Sequence, residues 1–186
     1  MLSDLDLIKF VREGKQEAFE AFIIKYKDKV YNIAFSFTGN HSESDDIAQN
    51  VFFKIYLNLN SFEGKSSFST WLYRITVNEC YNGLRKRKNN ILSLDFVIKE
   101  DAVVSLKDIF EDKNVNIEDF MMRKEMQLKV RKAIIELPYK YRMIVTLRDI
   151  EDMSYEEISK IMKISQDKVK VWLFRARSKL KNILRT

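Results

Sequence analysis

The stretch SYEEISKIMKISQDKVKVWLFRARSKLKNIL, residues 154–184, has the spacing of two helices joined by a tight turn. A first helix of about nine residues precedes the turn KIS, residues 163–165, and a longer basic helix follows it. Ser154 and Glu157 form the pattern of a capping box, which predicts where the first helix begins. This stretch therefore predicts a helix-turn-helix unit.

The second of these helices separates into two faces at about 100° per residue. The predicted core face carries Val169, Trp172, Leu173, Ala176, Leu180 and Ile183. The opposite face carries Lys170, Val171, Phe174, Arg175, Ser178 and Lys181. That opposite face has two interpretations: ordinary solvated surface, or a face that recognises DNA.

Charge and apolar content favour DNA recognition over a merely solvated surface. From Lys168 to the last residue there are seven basic side chains and no acidic one, which suits phosphate binding. Val171 and Phe174 are apolar on a face that should be wet, and apolar side chains there suit contact with thymine methyl groups. We therefore predict that this helix enters the major groove.

The composition limits the fold class and the cellular location that we expect. The chain has 186 residues, 46% of them hydrophobic, with only four Gly and one Pro, which favours an all-helical protein. The net charge of +6 leaves nucleic acid open as a partner. The only cysteine, Cys80, excludes an intramolecular disulfide. No apolar run is long enough to span a bilayer and no signal peptide is recognisable, so we expect a cytoplasmic protein without membrane insertion.

The rest of the chain divides by charge and periodicity. Helical spacing predicts one short helix ended by Gly14, a long one ended by Gly39, and a third begun by a capping box of Ser42 and Asp45. Residues 91–120 hold eight acidic residues against three lysines, with weak helical periodicity. The predicted architecture is two small helical domains, residues 1–90 and 122–186, joined by a flexible acidic linker over residues 91–121.

The stretch FEGKSSFSTWLYRITVNECYNGLRKRK, residues 62–88, is the second candidate site. At helical spacing the inward stripe comprises Tyr73, Val77, Cys80 and Leu84. The outward side comprises Trp71, Arg74, Asn78, Asn82 and Arg85. Cys80 is thus predicted to be a small core residue. Trp71 either packs on the preceding segment or acts as an aromatic wedge between separated DNA strands.

The wedge interpretation gives the neighbouring residues roles as well. Asn78 could offer its amide to a base edge, while Arg74 and Arg85 hold phosphates. The segment EGKSS could cup an unstacked base, because Gly and Ser bring backbone donors close without bulk.

Two stretches of the chain resemble the two conserved domains of bacterial extracytoplasmic-function (ECF, group IV) sigma factors of the sigma-70 family. They are residues 45–88 and residues 136–180, ELPYKYRMIVTLRDIEDMSYEEISKIMKISQDKVKVWLFRARSKL. The combination of FSTWLYRI, ELPYKYR and SYEEI in this order is specific, and the resemblance covers nearly the whole chain. It implies a dissociable RNA polymerase subunit that directs promoter-specific transcription initiation. In that family the first domain binds core polymerase and melts the −10 element, and the second reads the −35 element as duplex.

The resemblance also implies partners and site residues. The partners would be the clamp helices and flap of core polymerase, promoter DNA and an anti-sigma factor, and no cofactor is implied. Core polymerase would be contacted by Asp45, Asp46, Gln49, Asn50 and Phe53. The −10 element would be contacted by Phe62, Gly64, Lys65, Ser66, Ser67, Trp71, Arg74, Asn78, Arg85, Lys86 and Arg87. The −35 element would be contacted by Lys168, Lys170, Val171, Phe174, Arg175, Arg177, Ser178 and Lys181.

The chain departs from the family pattern at a few of these positions. Asn50 stands where Glu is usual, and Lys163 replaces the Gly of the helix-turn-helix turn. Asp167 and Lys168 replace a Gly-Thr pair before the recognition helix, although Asp167 favours the helix dipole. The change at Asn50 bears on one polymerase contact, and the changes around the helix-turn-helix turn bear on promoter preference. For the acidic linker, the resemblance implies a position near the active-site cleft and the RNA exit path.

Two other classes of function are weaker. An enzyme is disfavoured because His41 is the only histidine, Cys80 is predicted to be buried, and neither a paired-carboxylate nor a phosphate-loop pattern is recognisable. A stand-alone helix-turn-helix regulator would explain residues 154–184 but would leave residues 42–88 without a role.

Overall fold

The computed structural model describes residues 3–90 and 117–185, with side chains for all of these except 86–90, 117–121, 123 and 124. All regular structure in these two ranges is helical, as the sequence predicts. Most of the predicted acidic linker, residues 91–116, lies outside the described residues. Its last part is helical, because helix α5 already begins at Ile117.

The N-terminal group contains four α-helices. They are α1 (Asp4–Arg12), α2 (Gln16–Thr38), α3 (His41–Asn58) and α4 (Phe68–Asn90), with a 3₁₀ turn at Leu59–Ser61. Gly14 and Gly39 follow α1 and α2 with φ of +81° and +69°, a left-handed conformation that ends helices. Both predicted glycine stops are confirmed.

The start of α3 differs from the prediction. The N-cap is Asn40, whose side-chain oxygen accepts a hydrogen bond of 3.0 Å from the backbone N–H of Glu43. The capping box predicted at Ser42 and Asp45 is wrong, because both residues already lie within the helix. The physical reason is that Gly39 ends α2 and Asn40 alone is extended, so the chain turns into α3 after a single residue.

Aromatic packing dominates the interior of the N-terminal group. Phe22 of α2 is 1% exposed, and its ring meets that of Phe68 edge-on at 4.5 Å. Arg12 of α1 donates hydrogen bonds of 3.0 Å and 2.7 Å to the carbonyls of Leu59 and Phe62. These bonds fix the segment that leads into the loop before α4.

The C-terminal group consists of α5 (Ile117–Glu136), α6 (Tyr139–Val145), a π-helical turn (Thr146–Ile150), α7 (Tyr155–Met162) and α8 (Gln166–Arg185). The predicted capping box of α7 is present: the Glu157 N–H donates to the Ser154 hydroxyl at 3.2 Å, and the Ser154 N–H donates to the Glu157 carboxylate at 2.9 Å. Lys163 takes the left-handed conformation, φ +54°, at the helix-turn-helix turn.

The two groups of helices pack against each other. Helix α4 contacts α7, and α2 contacts α5, α6 and the π-helical turn. The rings of Phe37 and Tyr139 are 5.2 Å apart across this contact. The sequence predicts two modules and a linker but contains no pattern that indicates this docking.

Candidate nucleic-acid and polymerase interfaces

The outward face of α8 is open to solvent. Val171 is 46% exposed and Phe174 is 77% exposed. Beneath them Val169, Leu173 and Ala176 are buried, which confirms the core face read from the sequence. All eight residues assigned to the −35 element are exposed: Lys168, Lys170, Val171, Phe174, Arg175, Arg177, Ser178 and Lys181.

Three of the basic side chains on α8 have partners within the protein. Arg177 forms a bidentate ion pair with Asp149 of the π-helical turn, and this hydrogen bonding raises the pKa of Arg177. Lys170 lies 3.2 Å from Asp167, and the ammonium of Lys168 lies 5.2 Å from the Trp172 ring centroid. Arg177 is therefore held towards the body of its own group, which spacing along the helix does not predict.

The loop before α4 borders a cavity of about 400 Å³. Residues 61–66, Thr70, Trp71 and Arg74 line it from the N-terminal group, and Lys160 lines it from α7. Gly64 has φ +73°, so the loop turns in a conformation that glycine adopts without strain. Lys65 pairs with Glu63 within the loop.

Trp71 is half-buried in this structure. Its ring lies 5.4 Å from the rings of both Phe62 and Phe68. Phe62 itself is only 8% exposed and forms the floor of the loop. This geometry fits the interpretation in which Trp71 packs on the preceding segment, and Trp71 also lines the cavity.

The remaining residues assigned to the −10 element differ in exposure. Asn78 and Arg85 are exposed and Arg74 is half-buried, while the side chains of Lys86 and Arg87 lie outside the described ones. On the opposite side of α4, Tyr73 and Cys80 are buried as predicted. Burial raises the pKa of the Cys80 thiol, which agrees with an inert core residue.

A third surface lies on α3. Asp45, Asp46, Gln49, Asn50 and Phe53 are all exposed, and their spacing puts them on one face of the helix. Phe53 is 62% exposed. An ion pair of 2.5 Å between Lys54 and Glu79 of α4 braces this helix.

Two further residues extend the α3 surface and were not predicted. Tyr56 and Leu57 follow Phe53 and are 59% and 60% exposed. Three large apolar residues exposed on one helix are typical of a protein-binding surface. The signal was present in the sequence as the run FFKIYL, residues 52–57, whose apolar residues exceed what one buried stripe needs.

Other kinds of site find no support in the described ranges. Residues 3–90 and 117–185 contain no group of three or more His, Cys, Asp or Glu side chains arranged to hold a metal ion. Within the same ranges no helix is both long enough and apolar enough to cross a membrane.

Family models match both groups of helices. The model for sigma-70 region 2 matches residues 22–90, and a model for sigma-70 region 4 matches residues 127–180. The ECF RNA polymerase sigma factor SigW of Bacillus subtilis is 35% identical over 178 residues, which are 96% of this chain and 95% of that protein. The ECF RNA polymerase sigma-E factor of Escherichia coli is 35% identical over 185 residues, with 97% and 94% coverage.

Solved structures share the fold. The sigma factor RpoE from Bartonella quintana, in complex with the anti-sigma factor NepR, superposes with a TM-score of 0.70 at 23% identity, over 90% of this chain and 97% of that one. CnrH, in complex with the cytosolic domain of CnrY, gives 0.69 at 22% identity, with 98% and 97% coverage. The matches to sigma-70 region 2 and region 4 in the two helical groups define the class as sigma factors of the sigma-70 type. With these relatives at hand, the chain belongs to the ECF family of RNA polymerase sigma factors.

Proposed function

We propose that this protein is a non-catalytic, promoter-reading subunit of RNA polymerase in the cytoplasm, with three separate working surfaces. The α3 face binds core polymerase, the loop before α4 and the outward side of α4 hold the melted −10 strand, and the outward face of α8 reads the −35 duplex. The main observation behind the proposal is the outward face of α8. There Val171 and Phe174 are exposed between basic side chains, while Val169, Leu173 and Ala176 on the other side of the helix are buried.

Chemistry supports the assignment of α8 to duplex DNA. A helix of this kind fits the major groove, where apolar side chains contact thymine methyls and arginine can bond the O6 and N7 of guanine. Arg175 is exposed beside Phe174 and is the candidate for such a base contact. Arg177 is less suited to base contact, because its guanidinium is held by Asp149.

The α3 surface suits a protein partner better than DNA. It carries Asp45 and Asp46, which repel phosphates, next to exposed Phe53, Tyr56 and Leu57. Apolar side chains with acidic neighbours fit the clamp helices of core polymerase if these offer basic and apolar groups. Asn50 would supply one neutral polar contact there.

The loop before α4 suits a single strand. Its cavity is lined by Ser66, by the aromatic Trp71 and by the cationic Arg74. An unstacked base can be accepted by such a site through stacking and backbone hydrogen bonds, while Arg74 holds a phosphate. An anti-sigma factor is the expected regulatory partner, because the sigma factor RpoE of Bartonella quintana is solved in complex with one.

Transcription in vitro tests the proposal. Core RNA polymerase of Bacillus subtilis, freed of its own sigma factors, would be mixed with the purified protein and a library of randomised promoter templates. We expect transcripts only when both proteins are present. The transcribed templates should share two sequence blocks, separated by the distance between a −35 element and a −10 element. A protein that shifts duplex DNA by itself and leaves transcription by core polymerase unchanged would instead be a stand-alone regulator.

The polymerase surface can be tested separately with matched variants. Asp46→Ala with Gln49→Ala should weaken binding to core polymerase by roughly the 1–2 kcal/mol typical of truncated interface residues. Asp28→Ala, an equal charge loss on the exposed side of α2, should leave binding unchanged. Equal affinities of the two variants for core polymerase would refute the assignment of α3.

A further inference from the structure

The outward face of α8 carries an acidic side chain in its first turn. Asp167 is the second residue of α8 and its only acidic one. Val171 and Phe174 follow it by four and seven residues, a spacing that places the three side chains on one stripe of the helix. In a helix-turn-helix the first residues of the second helix contact base edges. The carboxylate therefore lies on the face, and at the end of it, where base contacts are expected.

The Asp167 side chain is presented to solvent together with a cation. It is 90% exposed, and its carboxylate accepts a hydrogen bond of 3.2 Å from the ammonium of Lys170. Lys170 is itself one of the residues assigned to the −35 element. The first turn of α8 thus offers an approaching duplex a hydrogen-bond acceptor beside a donor.

The ordinary role of an acid in a first turn is to stabilise the helix through its dipole. In α8 the hydroxyl of Ser165 already caps the helix, accepting a hydrogen bond of 3.3 Å from the N–H of Lys168. A carboxylate on this face also repels the phosphates that the basic side chains of α8 attract. A hydrogen bond from a base to the carboxylate would offset that repulsion.

The chemistry of the carboxylate selects the base. An ionised carboxylate accepts hydrogen bonds only, and cytosine and adenine are the bases with an amino donor in the major groove. The adenine amino group lies between two acceptors, its own N7 and the O4 of thymine. The cytosine amino group has an acceptor on one side only, the O6 of guanine. Because a carboxylate is repelled by neighbouring acceptors, cytosine is its better partner.

Building on the proposed function, we infer that Asp167 is a specificity-determining residue that selects cytosine at one position of the −35 element. Its carboxylate accepts a hydrogen bond from the N4 amino group, and Lys170 donates to O6 or N7 of the paired guanine. Thymine is disfavoured at this position, because its O4 would face the carboxylate.

Selection from a randomised −35 library tests the inference. Holoenzyme assembled with core RNA polymerase of Bacillus subtilis would bind promoter duplexes that keep a −10 element recovered in the transcription experiment, and bound duplexes would be sequenced. We expect the parent to enrich cytosine over thymine at one position by about tenfold, the order expected for one discriminating base contact. Asp167→Ala should lose this preference and keep the others. The same block selected by both proteins would overturn the inference.

Asp167→Asn should change the preference instead of only removing it. An Asn amide can bond both N6 and N7 of adenine, so adenine should replace cytosine at the same position. Loss of an adenine preference in Asp167→Ala, with no cytosine preference in the parent, would overturn the assignment to cytosine.

Glu156 of α7 supplies a matched control. It is also the second residue of its helix, and it pairs at 2.7 Å with Lys160 one turn further on. Glu156→Ala therefore removes the same charge and the same kind of ion pair from outside α8, and it should leave the selected block unchanged. Loss of the same cytosine preference in Glu156→Ala would show an effect of charge without a base contact.

A modified base tests the atom that is bound. N4-methylcytosine still pairs with guanine but presents a methyl group to the major groove in place of the amino hydrogen. At the selected position it should weaken binding by the parent holoenzyme about tenfold and leave binding by Asp167→Ala unchanged. Equal losses for the two proteins would overturn the hydrogen bond.

Thermal unfolding and a scrambled −35 duplex separate base reading from helix stability. If Asp167 served only the helix, Asp167→Ala would lower the melting temperature and weaken binding to every duplex alike, which would overturn the inference. We expect Asp167→Ala to bind the scrambled duplex at least as tightly as the parent, because a charge that repels phosphates is gone. Failure of the proposed function looks different: the parent holoenzyme would select no −35 block, and the inference would fall with it.

Discussion

Helices α4 and α8 have the same design but different surroundings. Each carries an apolar stripe towards its own core and polar side chains on the other side. On α8 the outward face is free, with Phe174 77% exposed, whereas on α4 Trp71 and Arg74 are half-buried and α7 lies alongside. Periodicity identifies the side of a helix that faces its own domain, but another domain can still cover the rest.

The difference also bears on stability. Helix α8 packs on α6 and α7 within its own group, but its buried residues belong to one apolar cluster that also includes the buried residues of α2 and α4. If that cluster couples the two groups, they should unfold together. Each group contains one of the two tryptophans, Trp71 and Trp172, which allows each to be followed separately.

The largest expected effect comes from truncating each core. Phe22→Ala in the N-terminal group should cost about 3–5 kcal/mol and Leu173→Ala in the C-terminal group about 2–5 kcal/mol, because both side chains are fully buried. Urea unfolding would be followed in Trp71→Phe and Trp172→Phe backgrounds, so that fluorescence reports one group at a time. We expect both reporters to shift together with either truncation. Separate unfolding transitions for the two tryptophan reporters would show that the two groups of helices unfold independently.

The open face of α8 should distinguish base reading from phosphate holding. Phe174→Ala or Arg175→Ala should cost about 1–3 kcal/mol on the cognate −35 duplex and little on a scrambled one. Lys181→Ala should weaken both duplexes alike and reduce the salt dependence by about one charge. Holoenzyme binding to both duplexes at several salt concentrations measures this. Equal losses on both sequences for Phe174→Ala would mean that the face holds DNA without reading it.

Removal of a helix cap should cost less unfolding free energy than truncation of the core, and by a similar amount in both groups. Asn40 caps α3 with a single side-chain bond, whereas Ser154 caps α7 within a reciprocal box with Glu157. Asn40→Ala and Ser154→Ala should each cost roughly 1 kcal/mol of unfolding free energy. Ser42→Ala, at the position first expected to cap α3, is the control and should change little. A larger loss for Ser42→Ala than for Asn40→Ala would contradict the observed start of α3.

The smallest effect concerns Glu151, which lies between the two groups. Burial raises the pKa of this carboxyl above its ordinary value of 4.5, partly offset by Lys29 of α2. A group with a raised folded-state pKa destabilises the fold at higher pH, and that penalty is relieved as the pH falls through the raised value. Glu151→Gln should therefore be slightly more stable than the parent at pH 7, with the gap closing towards acidic pH. A gap that widens on acidification would mean that the carboxylate stabilises the contact.

Local signals in the sequence predicted much of the fold. Gly14 and Gly39 end helices because their left-handed conformation is costly for other residues, and Ser154 with Glu157 begins α7 through bonds within four residues. The inward stripes of α4 and α8 were likewise readable, since apolar burial follows the helical period. The cap of α3 was misplaced because Asn40 and Ser42 are both good caps, and only the path out of Gly39 decides between them.

The candidate sites divide in the same way. The outward faces of α4 and α8 follow from residue type and spacing, whereas the α3 face was assigned through the family resemblance. The sequence by itself thus determined an all-helical chain with a helix-turn-helix and a basic outward face on α8. Only the tertiary structure decided that Arg177 pairs with Asp149, that Trp71 rests on Phe62, and that Arg142 ties α6 to the end of α2. These contacts join residues far apart in the chain, and they depend on side-chain direction and domain docking, which no local period encodes.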